Sequence, residues 1–299
     1  MLYDVMIIGG GPAGLTAGLY AARAGLSAVL LEQMFVGGQA STTDKLENYP
    51  GFPDGIGGPE LMMQFEQQAT NAGLEIRYEP AEKLELEGEI KKAHTAGGII
   101  EAKTAILCMG AARRLLGVPG EEKLTGRGVS YCATCDGALY RGKSVAVVGG
   151  GDTAMEDALY LARICEKVTL IHRRDQLRAI GHRAKAVLAN EKIEVLYNSR
   201  VEKIEQAEGG VRLTLNEGRA LEVSGLFVAI GTKPESELVK DQVELTEDGY
   251  VKAGEDTRTS VPGVFVAGDL RKKPLRQVVT AASDGAVAAY QAAEYVLDA

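Results

Sequence analysis

Apolar residues in this chain come in short runs whose period changes from one stretch to the next. Residues 4–8 carry Val5-Met6-Ile7-Ile8, an unbroken apolar run that predicts a buried strand. Leu15 to Arg23 is rich in Ala and Leu and predicts a helix, and Ala28-Val29-Leu30-Leu31 predicts a second strand ending at Glu32. From Leu61 to Ala72, helical spacing puts Leu61, Met62, Phe65 and Ala69 on one inward face. Residues 74–106 alternate as strands do, with turn signals at Glu87-Gly88 and Gly97-Gly98. Ala105 to Cys108 is a buried strand entering a turn at Gly110, and Leu226 to Gly231 echoes it. Val261 to Ala267 predicts a strand ending in Gly268-Asp269, and an Ala-rich helix follows from about Val279 to Tyr295. Two stretches read as linkers: Gly117-Val118-Pro119-Gly120, and the polar, acidic run from Glu235 to Gly249.

At 299 residues, 45% hydrophobic and 25% charged, the chain has material for two domains with separate cores. The balance of 33 basic against 41 acidic residues, net −8, argues against a nucleic-acid surface, and no Lys/Arg run interleaved with aromatics appears. No apolar run approaches the ~18–20 residues of a membrane span. The chain passes directly into its first strand without a basic leader, so a cytoplasmic location is expected. In that compartment a Cys-x-x-Cys pair reads as catalytic or metal-binding rather than as a structural disulfide.

Between the first two strands stands Gly9-Gly10-Gly11-Pro12-Ala13-Gly14. Strand, glycine turn, helix, strand and terminal acid together form a dinucleotide-binding unit. Gly9, Gly11 and Gly14 let backbone approach a pyrophosphate at the helix N-terminus, and Glu32 can accept a ribose hydroxyl. The alternative is a glycine turn in a ligand-free α/β domain. The unit recurs: aligning Gly9 with Gly149 puts Gly11 on Gly151, Gly14 on Ala154, Tyr20 on Tyr160, Arg23 on Arg163 and Glu32 on His172. The second copy, with Asp152 and Thr153 inside its turn, ends in His172-Arg173-Arg174, with Arg178 a helical turn further on. Guanidiniums there suit a 2′-phosphate, which an acid would repel, so the second site reads as one for NADPH rather than NADH. The competing reading is a solvated basic patch, since Arg183 and Lys185 follow.

Two of the four cysteines, Cys132 and Cys135, lie just upstream of the second fingerprint in Ser130-Tyr131-Cys132-Ala133-Thr134-Cys135-Asp136-Gly137. Such a pair can close a small disulfide ring whose thiolate is the reactive form. Half of a zinc site is the alternative, but Cys108 and Cys165 are isolated in apolar contexts and no Cys/His pair supplies a second half. Asp136 also admits a plain helix-capping role. His94 belongs to a surface strand and His182 to the basic patch, and neither has the partners of a hydrolytic triad.

Taken together, GGGPAG, GGQ, ENYPGFP, SYCATCDG, GGGDTA, HRRDQLR, VFVAGD and PLRQVVTAASDG run through the chain in an order and spacing that resemble the low-molecular-weight, bacterial-type thioredoxin reductases. The resemblance spans the first strand to the last helix. It implies an α/β fold of two Rossmann-like, three-layer ββα nucleotide-binding domains, with the NADPH domain inserted into a discontinuous FAD domain. The expected bounds are 1–114 and 244–299 for FAD, and 115–243 for NADPH and the cysteine pair. It further implies that Gly9, Gly11, Pro12, Ala13, Gly14, Glu32, Gly37, Gly38, Gln39, Asn48, Asp269, Arg276, Gln277 and Val278 hold FAD. On the same grounds Gly149, Gly151, Asp152, Thr153, Ala154, His172, Arg173, Arg174 and Arg178 hold NADPH.

Cys132 and Cys135 match the redox disulfide, with Cys135 facing the flavin and Cys132 attacking the partner, and Asp136 matches the acid that protonates the dithiol. Thioredoxin or a thioredoxin-like protein is the implied partner, and a homodimer the implied assembly. Two departures, Ala40 after GGQ and Ala138-Leu139 after the cysteines, are expected at contact surfaces and leave the partner more open than the chemistry. The same fold could reduce a glutaredoxin-like or peroxidase-linked carrier, or take electrons from ferredoxin. A non-catalytic flavin redox sensor would need an output module, and none is visible. Since donor and disulfide share the middle domain and both must reach one flavin, rotation about linkers near 113–118 and 240–248 is expected.

Overall fold

The computed structural model describes residues 1–177 and 181–298. Met1–Ala112 and Lys233–Ala299 make one compact unit, and Arg113–Thr232 makes a second, inserted unit. The first opens with β1 (Leu2–Ile8), α1 (Pro12–Arg23), β2 (Ala28–Leu31), α2 (Gly58–Asn71) and β3 (Glu75–Arg77). β4 (Lys83–Glu85), β5 (Lys91–Thr95) and β6 (Gly98–Leu107) follow. The sheet runs β3-β2-β1-β6-β5-β4; β1 pairs parallel with β2 and β6, and β5 pairs antiparallel with β4 and β6. Period-two alternation along β1 divides the core in two. Val5 and Ile7 face a helix layer, while Met6 and Ile8 face the opposite side with Leu84, Leu86 and Ala93.

The chain crosses at β7 (Ala111–Arg113) and enters α3 (Glu121–Leu124), β8 (Val129–Ser130) and α4 (Ala133–Asp136). The second nucleotide unit is β9 (Ser144–Val148), α5 (Asp152–Ile164) and β10 (Lys167–Ile171), then α6 (His182–Leu188) and β11 (Ile193–Leu196). β12 (Val201–Ala207), β13 (Gly210–Leu215) and β14 (Ala220–Val223) form an antiparallel sheet, and β15 (Gly225–Val228) returns to the parallel one. That parallel sheet runs β11-β10-β9-β15-β8. Alternation again splits the core: Val145 and Val147 pack with α5, while Ala146 and Val148 pack against the antiparallel sheet. Each unit therefore has a helix layer, a parallel sheet and an antiparallel layer, as the internal repeat implies.

The return crossing, β16 (Thr232–Pro234), pairs with β7 in a two-stranded ribbon. β17 (Val264–Val266) then joins the first sheet beside β6, and α7 (Val278–Asp298) closes the helix layer. Both expected linkers need correction. Gly117–Gly120 is packed within the second unit, where buried Glu121 accepts the Leu116 and Gly117 N–H groups, each at 2.8 Å. The acidic run after residue 234 belongs to the first unit. Of its sparse apolar residues, Val239 and Val243 are buried with Val251 against the sheet, Leu238 and Leu245 pack beside them, and Gln242 bonds to Leu84 O and Leu86 N. The crossing into the first unit thus falls at 232–233 rather than at 243–244.

Candidate redox centre and nucleotide-binding turns

Ser130, the last residue of β8, pairs with Phe227 on the parallel sheet and is 5% exposed. Two residues on, the backbone turns into α4 with Cys132 as its N-cap. The i, i+3 spacing over one helical turn brings the sulfurs together: Cys132 and Cys135 form a disulfide with Cα atoms 5.3 Å apart. The turn is held by Cys132 O, which accepts the Cys135 and Asp136 N–H groups at 3.3 and 3.1 Å. Cys132 Sγ also accepts the Cys135 N–H, at 3.2 Å.

Behind the disulfide, Ser130 Oγ donates to Asp136 Oδ2 at 2.6 Å and accepts the Cys132 N–H at 3.1 Å. Gly137 lets α4 sit on α5, since a Cβ there would stand 2.9 Å from the Tyr160 ring. Tyr131 packs under the Arg113 guanidinium, 4.4 Å from its ring centre, and donates to Glu121 at 2.8 Å. Burial, reinforced by the bond to Glu121, pushes the Tyr131 phenol up to about 12. The two remaining cysteines are buried: Cys108 packs in the first unit's core and Cys165 in the second's. Burial pushes both thiols up, which keeps them protonated and unreactive.

In the first unit, Gly11 is the N-cap of α1, and a Cβ built there meets nothing within 4 Å. At Gly14 the same Cβ would stand 1.9 Å from Gly9 O, so the turn and helix meet there in direct contact. Glu32 accepts the Gly10 N–H at 2.7 Å, and Gly37 donates to Gly10 O at 2.7 Å, which ties the GGQ loop to the turn. Pro12 occupies the first helical turn and Ala13 is buried beneath it. Gln39 donates to Ala111 O, and Asn48 donates to Gln277 Oε1 at 3.0 Å, drawing distant segments to one rim ahead of Val278.

In the segment after β17, Asp269 Oδ1 and Arg276 Nε are buried with no hydrogen-bond partner among the described residues. Burial pushes the Asp269 carboxyl above the usual carboxylate range, against the pull of Arg276 and Lys273. A buried acceptor, a buried donor and an open glycine cradle fit a ligand with hydroxyls and a pyrophosphate.

In the second unit, Gly149 lies against Ala229 O and Ala154, and Gly151 is the N-cap of α5. Asp152 and Thr153 are exposed at its first turn, as are Arg173 and Arg174 beyond β10. His172 is buried instead: its ring lies against Gly150 and its Nε2 pairs with Gln176 O at 2.9 Å. Arg178 lies outside the described residues. Of the two departures, Ala138 and Leu139 are exposed, but Ala40 is buried among Leu46, Ile56, Leu61 and Met62, so it is a packing residue rather than a contact.

Two positions with clear structural roles had no assignment from sequence. Ser130 belongs to the SYCATCDG stretch, but its role follows only from its distance to Asp136. Asp284, a buried acid in an Ala-rich helix, clamps Gly268 N, Arg271 and Lys273. Its spacing from Ala281, Gly285 and Ala288 on the buried face of the helix is a sequence signal for that role.

No helix among the described residues is long and apolar enough to cross a membrane. A family model described as pyridine nucleotide-disulphide oxidoreductase matches residues 3–285. The chain is 49% identical over 303 residues to a thioredoxin reductase of Mycolicibacterium smegmatis, covering 99% of this chain and 97% of that protein. It is 47% identical over 304 residues to a bifunctional thioredoxin reductase/thioredoxin of Mycobacterium leprae, covering 99% of this chain and 66% of that longer protein. Its fold matches the crystal structure of thioredoxin reductase from Streptococcus pyogenes with a TM-score of 0.94 at 42% identity, covering 100% and 99% of the two chains. Matched by that family model over residues 3–285 and similar along its whole length to these proteins, the chain belongs to the pyridine nucleotide-disulphide oxidoreductase family.

Proposed function

We infer that the protein is a thioredoxin reductase, an enzyme that uses FAD and NADPH to reduce the disulfide of thioredoxin or a thioredoxin-like protein. The observation that carries this is the Cys132–Cys135 disulfide, seated on one helical turn in the same unit as the second nucleotide fingerprint. The first unit holds FAD through the Gly9–Gly14 turn, Glu32, the Gly37–Gln39 loop and Asn48, together with Asp269 and Arg276–Val278 from the returning chain. Asp269 Oδ1 and Arg276 Nε, buried and unpartnered, supply an acceptor for a ribityl hydroxyl and a donor for a phosphate oxygen. The second unit holds NADPH through Gly149, Gly151–Ala154, Arg173 and Arg174, with Arg178 from beyond the described residues. His172 acts there by bracing Gly150. The two nucleotides, when bound, supply hydride delivery and its conversion into two-electron reduction of a disulfide.

Two electrons reaching the S–S bond break it into two thiolates, and Asp136 delivers a proton to one of them. The Cys132 thiolate attacks one sulfur of the partner disulfide, forming a mixed disulfide and releasing the other partner sulfur as a thiolate. Cys135 then attacks Cys132 Sγ, which releases the second partner sulfur and restores the internal disulfide. The enzyme works in the cytoplasm as a homodimer.

NADPH oxidation followed with thioredoxin as acceptor tests the reading. Turnover is expected to require thioredoxin, to favour NADPH over NADH and to vanish in Cys135→Ser. Equal use of NADH would overturn the donor assignment, and turnover surviving in Cys135→Ser would overturn the role of the disulfide.

A further inference from the structure

The hydroxyl of Ser130 touches both halves of the redox centre. Its oxygen is 2.6 Å from Asp136 Oδ2, 3.1 Å from the Cys132 amide nitrogen and 3.4 Å from Cys132 O. The side chain is held on the sheet, 5% exposed, by the pairing of its own backbone with Phe227. A hydroxyl has one proton and two lone pairs. One lone pair takes the Cys132 N–H, a donor at the N-cap that the sulfur-bearing turn leaves over. The proton then has two acceptors within reach, and the short distance selects the Asp136 carboxylate while that group is ionised. When the proton sits on Asp136 Oδ2, that O–H points back at Ser130 Oγ, and the serine proton turns to Cys132 O. Both protonation states of Asp136 are therefore held in one place by a rotation about a single C–O bond.

We propose that Ser130 is a positioning residue of the redox centre, keeping Asp136 and the Cys132 amide in register whether or not Asp136 carries the proton it exchanges with the cysteine thiolate. This deepens the reading of Asp136 as the acid of the thiol step and rests on it. The balance is simple: two electrons, supplied by NADPH, break the disulfide into two thiolates, one of which is protonated while the other stays ionised to attack the partner. Asp136 gives one proton to one thiolate and regains it from solvent, while Ser130 neither gains nor loses a proton over the cycle.

Ser130 bonds Asp136 in both states, but its bond to the ionised carboxylate is charge-assisted and stronger than its bond to the neutral acid, so removing the hydroxyl raises the pH at which Asp136 gives up its proton. The test is the pH dependence of NADPH-driven reduction of a small aromatic disulfide by the FAD-loaded protein, in wild type, Asp136→Asn, Ser130→Ala and Ser130→Thr. A small acceptor keeps partner docking out of the measurement. Asp136→Asn is expected to erase one limb of the profile, which identifies the limb that Asp136 controls. Ser130→Ala is expected to move that limb to higher pH, by about one pH unit for loss of a hydrogen bond to a partly solvated carboxylate. Ser130→Thr, which keeps the hydroxyl, is expected to leave it in place.

A limb unmoved in Ser130→Ala but erased in Asp136→Asn overturns the proposal and leaves the acid role standing. A limb that survives in Asp136→Asn overturns both. Should Ser130→Ala not fold, Ser130→Cys, close in size with a weaker donor, is read in the same way: a shift to higher pH supports the proposal and an unmoved limb overturns it.

Discussion

At the scale of single residues, the buried cations Arg271 and Lys273 are paired around Asp284. Its Oδ1 accepts from Arg271 at 2.9 Å, and its Oδ2 accepts from Lys273 at 2.7 Å and from the Gly268 N–H at 3.1 Å. Asp284→Ala leaves two cations buried without their counter-ion. Equilibrium unfolding is expected to show a loss of about 3–5 kcal/mol, with weaker flavin retention because Gly268 adjoins Asp269. Asp157 on α5 behaves in the opposite sense. Burial, with the neighbouring charge of Glu156, pushes its carboxyl up to about 7. The folded state therefore binds more protons than the unfolded one between the ordinary carboxylate range and pH 7, so stability falls as pH rises through that window. Asp157→Asn is expected to stabilise the protein at pH 8 and to change little near pH 4. The gain is a few kcal/mol at most, because a tenfold change in proton affinity is worth roughly 1.4 kcal/mol. Thermal unfolding at the two pH values checks the sign. The sequence displays both acids, but neither surroundings nor sign: Arg271 and Lys273 stand over ten residues from Asp284 and meet it only through the packing of β17 and α7.

At the scale of elements, two glycines of one turn do different work. A Cβ at Gly14 would strike Gly9 O at 1.9 Å, whereas at Gly11 it enters open space on a backbone with φ of −72° that any residue adopts. Gly14→Ala is expected to lower the melting temperature of the flavin-free protein, with a cost of about 1–3 kcal/mol for displacing α1 from the turn. Gly11→Ala is expected to leave that melting temperature unchanged and to weaken flavin binding at least tenfold, because the added methyl fills the cradle. Calorimetric melting beside a flavin-binding titration separates the two. The motif reads both glycines alike, as room for a pyrophosphate, and only the three-dimensional turn separates Gly14, closed against Gly9 O, from Gly11, which faces open space. The helices and strands themselves were legible because their periods are local properties: α2 buries Leu61, Met62 and Ala69 as the spacing predicts. Pro12 at the first turn and the Gly11 N-cap carry α1 back three residues from the predicted Leu15 start.

At the scale of the whole molecule, the chain passes between its units twice, at Ala111–Arg113 and Thr232–Pro234, and the two crossings pair with each other. If the two units rotate about this ribbon during turnover, a covalent tie between them should preserve either reduction of the flavin by NADPH or reduction of thioredoxin by the dithiol, but not both. Stopped-flow half-reactions of the tied protein check this, and full turnover would remove the rotation from the mechanism. The sequence alone determined the repeated nucleotide unit, the two-domain class and the chemistry of the cysteine pair, since each depends on residue type and short spacing. Where the chain crosses was decided only by the tertiary structure. A handful of apolar residues, Val239 and Val243 among them, draw a polar segment onto a sheet face made by strands far away in the chain. The brace behind the disulfide had the same origin: Ser130 and Asp136 are six residues apart, and a strand end followed by a single helical turn brings their oxygens to 2.6 Å. Contacts of that kind depend on how elements pack, and hydrophobic period and motif spacing carry no record of them.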